Sequence, residues 1–277
     1  MVEFEWSKFM AQIKKEKTKT PEEMRLFIES TIVEAGEATV RLFGRDDLES
    51  STKEDESDWV TQADIASSEI IIDRIKKAFP DDGIIDEETG EYQTDSESVW
   101  IVDPLDGTFN FKRNIPIFGV SIALVENNVV TYGAIYDPIH QQMLFAQKDK
   151  GAFLNGQETH CSNREEWPHS AGCVGSKLAP DRINFFNNLL KAASEETIWF
   201  EANASIVISS MLLAVGSLDW YFSPGGKIWD YAAASLILTE AGCRVTNLAG
   251  KNWSLGDKEM VAANEFLHGK ILEIAQR

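Results

Sequence analysis

The sequence predicts an α/β (α+β) protein of layered sheets and helices, and three observations carry that prediction. Helical patterns with start signals occupy the first third of the chain, a strand-rich stretch with a hairpin signal follows, and beyond Cys173 helical and strand-like runs alternate. The 277 residues are 43% hydrophobic, enough for a real core, in one large domain or two smaller ones.

Thr20-Pro21-Glu22-Glu23 combines a capping residue, a proline at the first helical position and an acid at the third, so a helix is expected to start there and run towards 43. A shorter helix is expected over 4–15, with a charged connector over 14–19. Residues 45–58 are polar and acidic and read as a mobile loop. From Thr61, the apolar positions Ile65, Ile70-Ile71-Ile72 and Ile75 predict an amphipathic helix that carries Asp64 in its first turn and ends near Pro80.

Two short apolar runs then end in acids: Ile84-Ile85 before Asp86-Glu87-Glu88, and Val99-Trp100-Ile101-Val102 before Asp103. Carboxylates at strand ends can converge. Runs at 120–125 and 129–136 predict a hairpin around Asn127-Asn128, followed by strands near 143–146 and 151–154. Later helices are expected over 181–193, 204–215 and 230–241, strands over 197–200, 219–222 and 243–246, and a last helix at the end.

There are 26 basic and 45 acidic residues, a formal charge of −19, which would repel a phosphate backbone or an anionic membrane, so neither nucleic acid nor membrane is an expected partner. An acidic protein that handles phosphate must neutralise it locally, and divalent cations held by carboxylates can do so. Cys161, Cys173 and Cys243 form an odd set without metal-like spacing, which argues against a disulfide framework or a structural zinc site and for buried thiols in a reducing cytoplasm. No basic region followed by an apolar core stands at the N-terminus and no run is long enough to span a bilayer, so a cytoplasmic location is expected.

Asp103-Pro104-Leu105-Asp106-Gly107-Thr108 sets two carboxylates three residues apart around a proline-stiffened turn, with a glycine that lets backbone approach a ligand. Asp103, Asp106 and the Leu105 carbonyl make a chemically sensible partial cage for magnesium, and Gly107 and Thr108 could offer N–H groups to a phosphate. An ordinary Asp-Gly turn between strands fits the same six residues. Asp230, after a tryptophan at the start of an alanine-rich helix, is likewise compatible with a plain helix cap. Gly225-Gly226-Lys227 lacks the rest of a phosphate-loop pattern, and the four histidines have no ligand spacing.

The hexapeptide followed by Phe109-Asn110-Phe111 resembles the first signature of the inositol monophosphatase family. Lys53 with Asp58-Trp59-Val60-Thr61-Gln62-Ala63-Asp64 resembles its loop and VTxxD element, and Asp86-Glu87-Glu88 its GEE element. Trp229-Asp230-Tyr231-Ala232-Ala233-Ala234 with Glu240-Ala241-Gly242 resembles the second signature. The resemblance implies a layered αβαβα sandwich of the inositol monophosphatase and fructose-1,6-bisphosphatase type, with an N-terminal α+β part over 1–150, a C-terminal α/β part over 151–277 and the site between them. It implies that Glu87, Asp103, the Leu105 carbonyl, Asp106 and Asp230 hold two or three Mg²⁺ ions, with Mn²⁺ able to substitute. It also implies that Glu87 positions or deprotonates a water supported by the Asp64–Thr108 pair, that lithium inhibits, and that the protein is a homodimer.

The activity implied is hydrolysis of a small phosphate monoester, inositol monophosphate first. The alternatives are 3'-phosphoadenosine 5'-phosphate, NADP or fructose 1,6-bisphosphate, and, in another class, a regulatory binding protein without turnover. Substrate-binding candidates are Lys53, Asp106, Gly107, Thr108, Ser205, Ser223 and Lys227, with Lys177 and Arg182 available for a second phosphate. Departures from the family pattern gather around the alcohol: Ser223 replaces a glutamate that contacts inositol, Ala204-Ser205-Ile206 forms the segment lining the ring, and Glu201 replaces an arginine. Cys243 stands where a second glycine is usual.

Overall fold

The computed structural model describes residues 19–45, 50–52, 59–175 and 183–277, and the expectations for 4–15, Lys53, Lys177 and Arg182 lie outside them. Helix α1 (Pro21–Leu42) starts as the sequence predicts: Thr20 accepts from the Glu23 N–H, and Glu23 accepts from the Thr20 N–H at 2.8 Å. Two three-residue strands, β1 (Ser50–Thr52) and β2 (Trp59–Thr61), pair antiparallel, so that 50–52 is a strand inside the stretch expected to be a loop. Helix α2 (Gln62–Ala78) follows at once, capped by Thr61.

The main sheet contains β3 (Gly83–Asp86), β4 (Gly90–Tyr92), β5 (Ser98–Asp106), β6 (Gly119–Glu126), β7 (Val129–Asp137), β8 (Gln142–Gln147), β9 (Ala152–Leu154) and β10 (Gln157–Thr159). Its order is β10-β9-β8-β7-β6-β5-β3-β4. The predicted hairpin is β6 and β7, turning through Asn127 and Asn128, both at positive φ. Strands β9 and β10, which lie past residue 150, pair at the end of this sheet.

A second sheet has the order β12-β11-β13-β15-β14, from β11 (Ala171–Val174), β12 (Trp199–Glu201), β13 (Trp220–Ser223), β14 (Arg244–Thr246) and β15 (Met260–Ala263). The remaining helices are the short α3 (Thr108–Lys112), α4 (Ile183–Glu195), α5 (Ile206–Ala214), α6 (Ile228–Glu240) and α7 (His268–Gln276). Helices α1 and α2 cover one face of the large sheet around Phe27, Ile28, Ile71 and Trp100. Helices α5 and α6 fill the space between the two sheets, where Val207, Met211, Tyr231 and Ile237 are buried, and α4 and α7 close the far side around Trp220 and Phe222. The result is the expected αβαβα stacking. No described helix is long and apolar enough to cross a membrane.

The middle helices are apolar nearly all round because both of their faces are covered. Their small residues set the spacing: a Cβ on Gly133 of β7 would stand 3.0 Å from the Ala233 carbonyl oxygen of α6. Close packing of this kind brings the N-termini of α5 and α6 to the carboxyl end of β5, where the acids lie.

Candidate metal centre

Strands β3 and β5 run parallel with Asp86 beside Val102, so their carboxyl ends deliver Glu87 and Asp103 to one edge of the sheet. The Glu87 N–H donates to the Val102 carbonyl at 3.2 Å. In the β5–β6 pairing, Asp103 faces Ser121 and Asp106 faces Gly119, so three steps along β5 match two along β6. That bulge lets both acids face the same spot. The Asp103 carboxylate accepts from the Leu105 N–H at 3.1 Å, and the Pro104 carbonyl accepts from Ser67 Oγ at 2.6 Å.

Gly107, at φ +92°, ends the bulge and begins α3; a Cβ there would lie 2.8 Å from the Ile117 carbonyl oxygen, so conformation and space both require glycine. The next residue, Thr108, donates through Oγ1 to Asp64 Oδ1 at 2.9 Å and lies 3.1 Å from the Leu105 carbonyl oxygen. Asp64 is 1% exposed, and its Oδ2 accepts from the Thr61 N–H at 2.8 Å and the Thr61 hydroxyl at 2.5 Å.

Helices supply the opposite wall. Asp106 Oδ2 accepts from the Val207 N–H at 2.9 Å and from the hydroxyl of Ser205, the N-cap of α5. Asp230, in the first turn of α6, accepts from the Lys227 N–H at 2.6 Å, so the cap reading and the site reading of this acid coexist. One carboxylate oxygen from each of Asp103, Asp106 and Asp230 lies within 4.8 Å of the others.

Burial and crowding raise the proton affinity of this cluster. Asp103 is pushed well above the usual carboxylate range by burial first and then by Glu87, Asp106 and Asp230. Burial lifts Asp230 to about 8 against the Lys227 N–H bond, and lifts Asp106 to about 6 against the bonds from Ser205, Val207 and Ile206. Asp64 is raised to about 6 by burial, with Thr61 and Thr108 opposing and Glu87 adding to the shift. Hard oxygen donors that repel one another in a buried space fit a divalent cation, which would remove the repulsion.

A match to the model of the inositol monophosphatase family covers residues 20–277. The chain belongs to the inositol monophosphatase family. It is 35% identical over 238 residues to a Nus factor SuhB of Pasteurella multocida, covering 84% of this chain and 87% of that one. It is 30% identical to a fructose-1,6-bisphosphatase/inositol-1-monophosphatase of Thermotoga maritima, covering 78% and 82%. Among solved structures, the suhB protein of Bartonella henselae superposes with a TM-score of 0.87 at 31% identity, covering 92% of this chain and 98% of that one.

Within this family member, the other sequence candidates fall in different places. Lys227 is exposed beside Asp230. Ser205 is 1% exposed and engaged with Asp106, while Ser223 is fully buried, its hydroxyl 3.1 Å from the Gly175 carbonyl and 2.6 Å from the Tyr231 hydroxyl. Both serines expected at the substrate therefore face protein partners. Glu88 contributes its N–H to Asp86 at 3.1 Å.

Several supporting residues escaped the sequence reading. Asp86 is fully buried, and its Oδ2 accepts from Ser68 Oγ and from the N–H groups of Glu88 and Thr89, which fixes the turn that presents Glu87. Asn110 Nδ2 donates to the Asn203 carbonyl at 2.6 Å and so ties α3 to the segment before α5. The Thr61-x-x-Asp64 spacing was a readable capping-box signal. Nothing in the sequence pointed to the Ser223–Tyr231 pair.

Proposed function

We propose that the chain is a magnesium-dependent phosphomonoesterase, a reading supported above all by the oxygens of Asp103, Asp106 and Asp230 converging within 4.8 Å. Glu87, Asp103, the Leu105 carbonyl, Asp106 and Asp230 would hold two or three Mg²⁺ ions, with Mn²⁺ a substitute. When bound, the ions would supply charge for the phosphate and leaving oxygen and acidify a water. Thr108 directs its hydroxyl proton to Asp64 at 2.9 Å, which leaves an oxygen lone pair to accept from the attacking water. Asp64 stays oriented because Thr61 occupies its other oxygen, and Glu87 positions or deprotonates the water from the facing strand end. Backbone N–H groups of Gly107 and Thr108 orient the phosphate, with Lys53 and Lys227 as cationic contacts.

The substrate is a small phosphorylated alcohol. Inositol monophosphate ranks first; with serine at 223 and glutamate at 201, 3'-phosphoadenosine 5'-phosphate, NADP and fructose 1,6-bisphosphate are the alternatives. Magnesium-dependent phosphate release from these four substrates tests the reading, and lithium should inhibit it. Silence on all four with folded, metal-loaded protein would favour the second reading, a regulatory binding protein in the cytoplasm. That role is suggested by relatives bearing the name Nus factor SuhB. A homodimer is supported by the exposed Trp199 and Phe200 on the edge strand β12, and sedimentation of a Trp199→Glu variant as the same species as the unaltered protein would count against that face.

A further inference from the structure

Two of the three cysteines meet away from the metal centre. Cys161 follows β10 at the end of the large sheet, and Cys243 stands between α6 and β14. The Cys161 N–H donates to the Ala241 carbonyl at 2.9 Å, which locks the two segments side by side and sets the two thiols next to each other. The Cys161 sulfur lies directly against the residue before Cys243: a Cβ on Gly242 would stand 3.8 Å from Cys161 Sγ. Cys161 is half-buried, whereas Cys243 is 6% exposed and lines a cavity of about 530 Å³ with Lys148, Arg244 and Trp253.

We propose that Cys161 and Cys243 are a redox modification site, a thiol pair that hydroperoxides convert to a disulfide joining the two sheets' segments. The pair is asymmetric in exposure, Cys161 half-buried and Cys243 buried. Hydrogen bonding from Cys243 holds the Cys161 thiol below its ordinary range, and the same contact, with burial, pushes Cys243 up. Cys161, the more exposed of the two, is the nucleophile, and the buried Cys243 is the resolving thiol.

In the first step the Cys161 thiolate attacks the peroxide; an S–O bond forms, the O–O bond breaks, and hydroxide or alkoxide leaves, giving a sulfenic acid. In the second, Cys243 Sγ attacks that sulfur; the S–S bond forms, the S–O bond breaks, and the oxygen leaves as water with the thiol proton. The two thiols lose two electrons and the peroxide gains them. Cys173, fully buried, near Ser209 Oγ at 3.1 Å and pushed up to about 11 by burial, has no part in it. The site is independent of the phosphatase reading, because neither sulfur belongs to the metal centre.

Exposure of the full-length, magnesium-loaded protein to hydrogen peroxide, followed by alkylation, digestion and mass spectrometry, tests the proposal. The expected product is a Cys161–Cys243 cross-linked peptide that a dithiol reductant reverses, with both residues lost from alkylation and Cys173 retained after unfolding. In the Cys243→Ser variant the reaction should stop at a dimedone-reactive Cys161, and in Cys161→Ser, Cys243 should remain a thiol. Full alkylation of Cys161 and Cys243 after peroxide, or a first dimedone adduct on Cys243 or Cys173, would overturn it.

Discussion

The two walls of the metal centre are built differently. On the strand wall, Asp103 and Asp106 come from a single bulged segment, and Glu87 reaches them through the neighbouring parallel strand. On the helix wall, Ser205, the Val207 N–H and Asp230 arrive from two helix starts far along the chain, Ser205 being 99 residues beyond Asp106. The strand wall concentrates negative charge, and Asp103, which accepts from the Leu105 N–H, is pushed well above the usual carboxylate range. The helix wall answers with N–H groups and a hydroxyl that relieve Asp106 and Asp230. One wall attracts cations; the other keeps the ligands aimed.

The largest effect should come from the strand wall. Asp103→Asn is expected to lower magnesium-dependent turnover by at least about a hundredfold while leaving the metal-free protein as resistant to unfolding as before, since a repelling charge has gone. Phosphate release paired with thermal unfolding measures this, and near-normal activity would remove Asp103 from the ligand set.

Asp86→Ala acts one step behind. It strips the acceptor from Ser68, Glu88 and Thr89, and should cost about 1–3 kcal/mol in chemical unfolding. The magnesium concentration for half-activity should rise about tenfold as Glu87 loses its fixed turn. Loss of stability without any change in magnesium dependence would make Asp86 a purely structural acid.

The raised carboxyls of both walls make a pH prediction. Folded affinities for protons near 6 for Asp64 and Asp106 and near 8 for Asp230 exceed those of unfolded aspartate, so the folded state binds more protons and its advantage is lost as pH rises through this range. The metal-free protein should therefore lose Tm between about pH 5 and about pH 9, and the Tm gained on adding magnesium should grow over the same window. A magnesium-induced gain that does not vary with pH would show that the ions bind elsewhere.

The helix wall should respond least. Ser205→Ala removes a cap and a donor to Asp106, with an expected cost of about 1 kcal/mol and a weaker magnesium response. Ser223→Ala should change KM little, because its hydroxyl serves Gly175 and Tyr231; a KM shift of about tenfold or more would restore a direct contact with substrate.

What could be read from sequence follows the same division. The strand wall lies in a contiguous motif whose proline, glycine and paired acids each have a local physical meaning, and α1, α2 and the β6–β7 hairpin carry their own start and turn signals. Strands β4, β10, β11 and β15 gave no such signal. Met260–Ala263 is a four-residue apolar run recognisable only once β13 and β14 lie on either side of it. The family resemblance implies a place for Ser223 beside the substrate, but the direction of its hydroxyl depends on Tyr231 and Gly175, which meet it only in the folded chain. The cysteine pairing was hidden for the same reason, since an odd count without spacing says nothing about two residues 82 positions apart.

The bulge between Asp103 and Asp106 has a consequence for how this segment tolerates change. Two acids separated by a single residue would also share a face of a regular strand. A chain shortened by one residue there would keep both carboxyls and still return the Leu105 peptide to the sheet ladder, so that its carbonyl no longer turned toward Thr108. Deletions and insertions between these acids should therefore be as damaging as losing one of them. What the segment encodes is a length of backbone as much as a pair of charges.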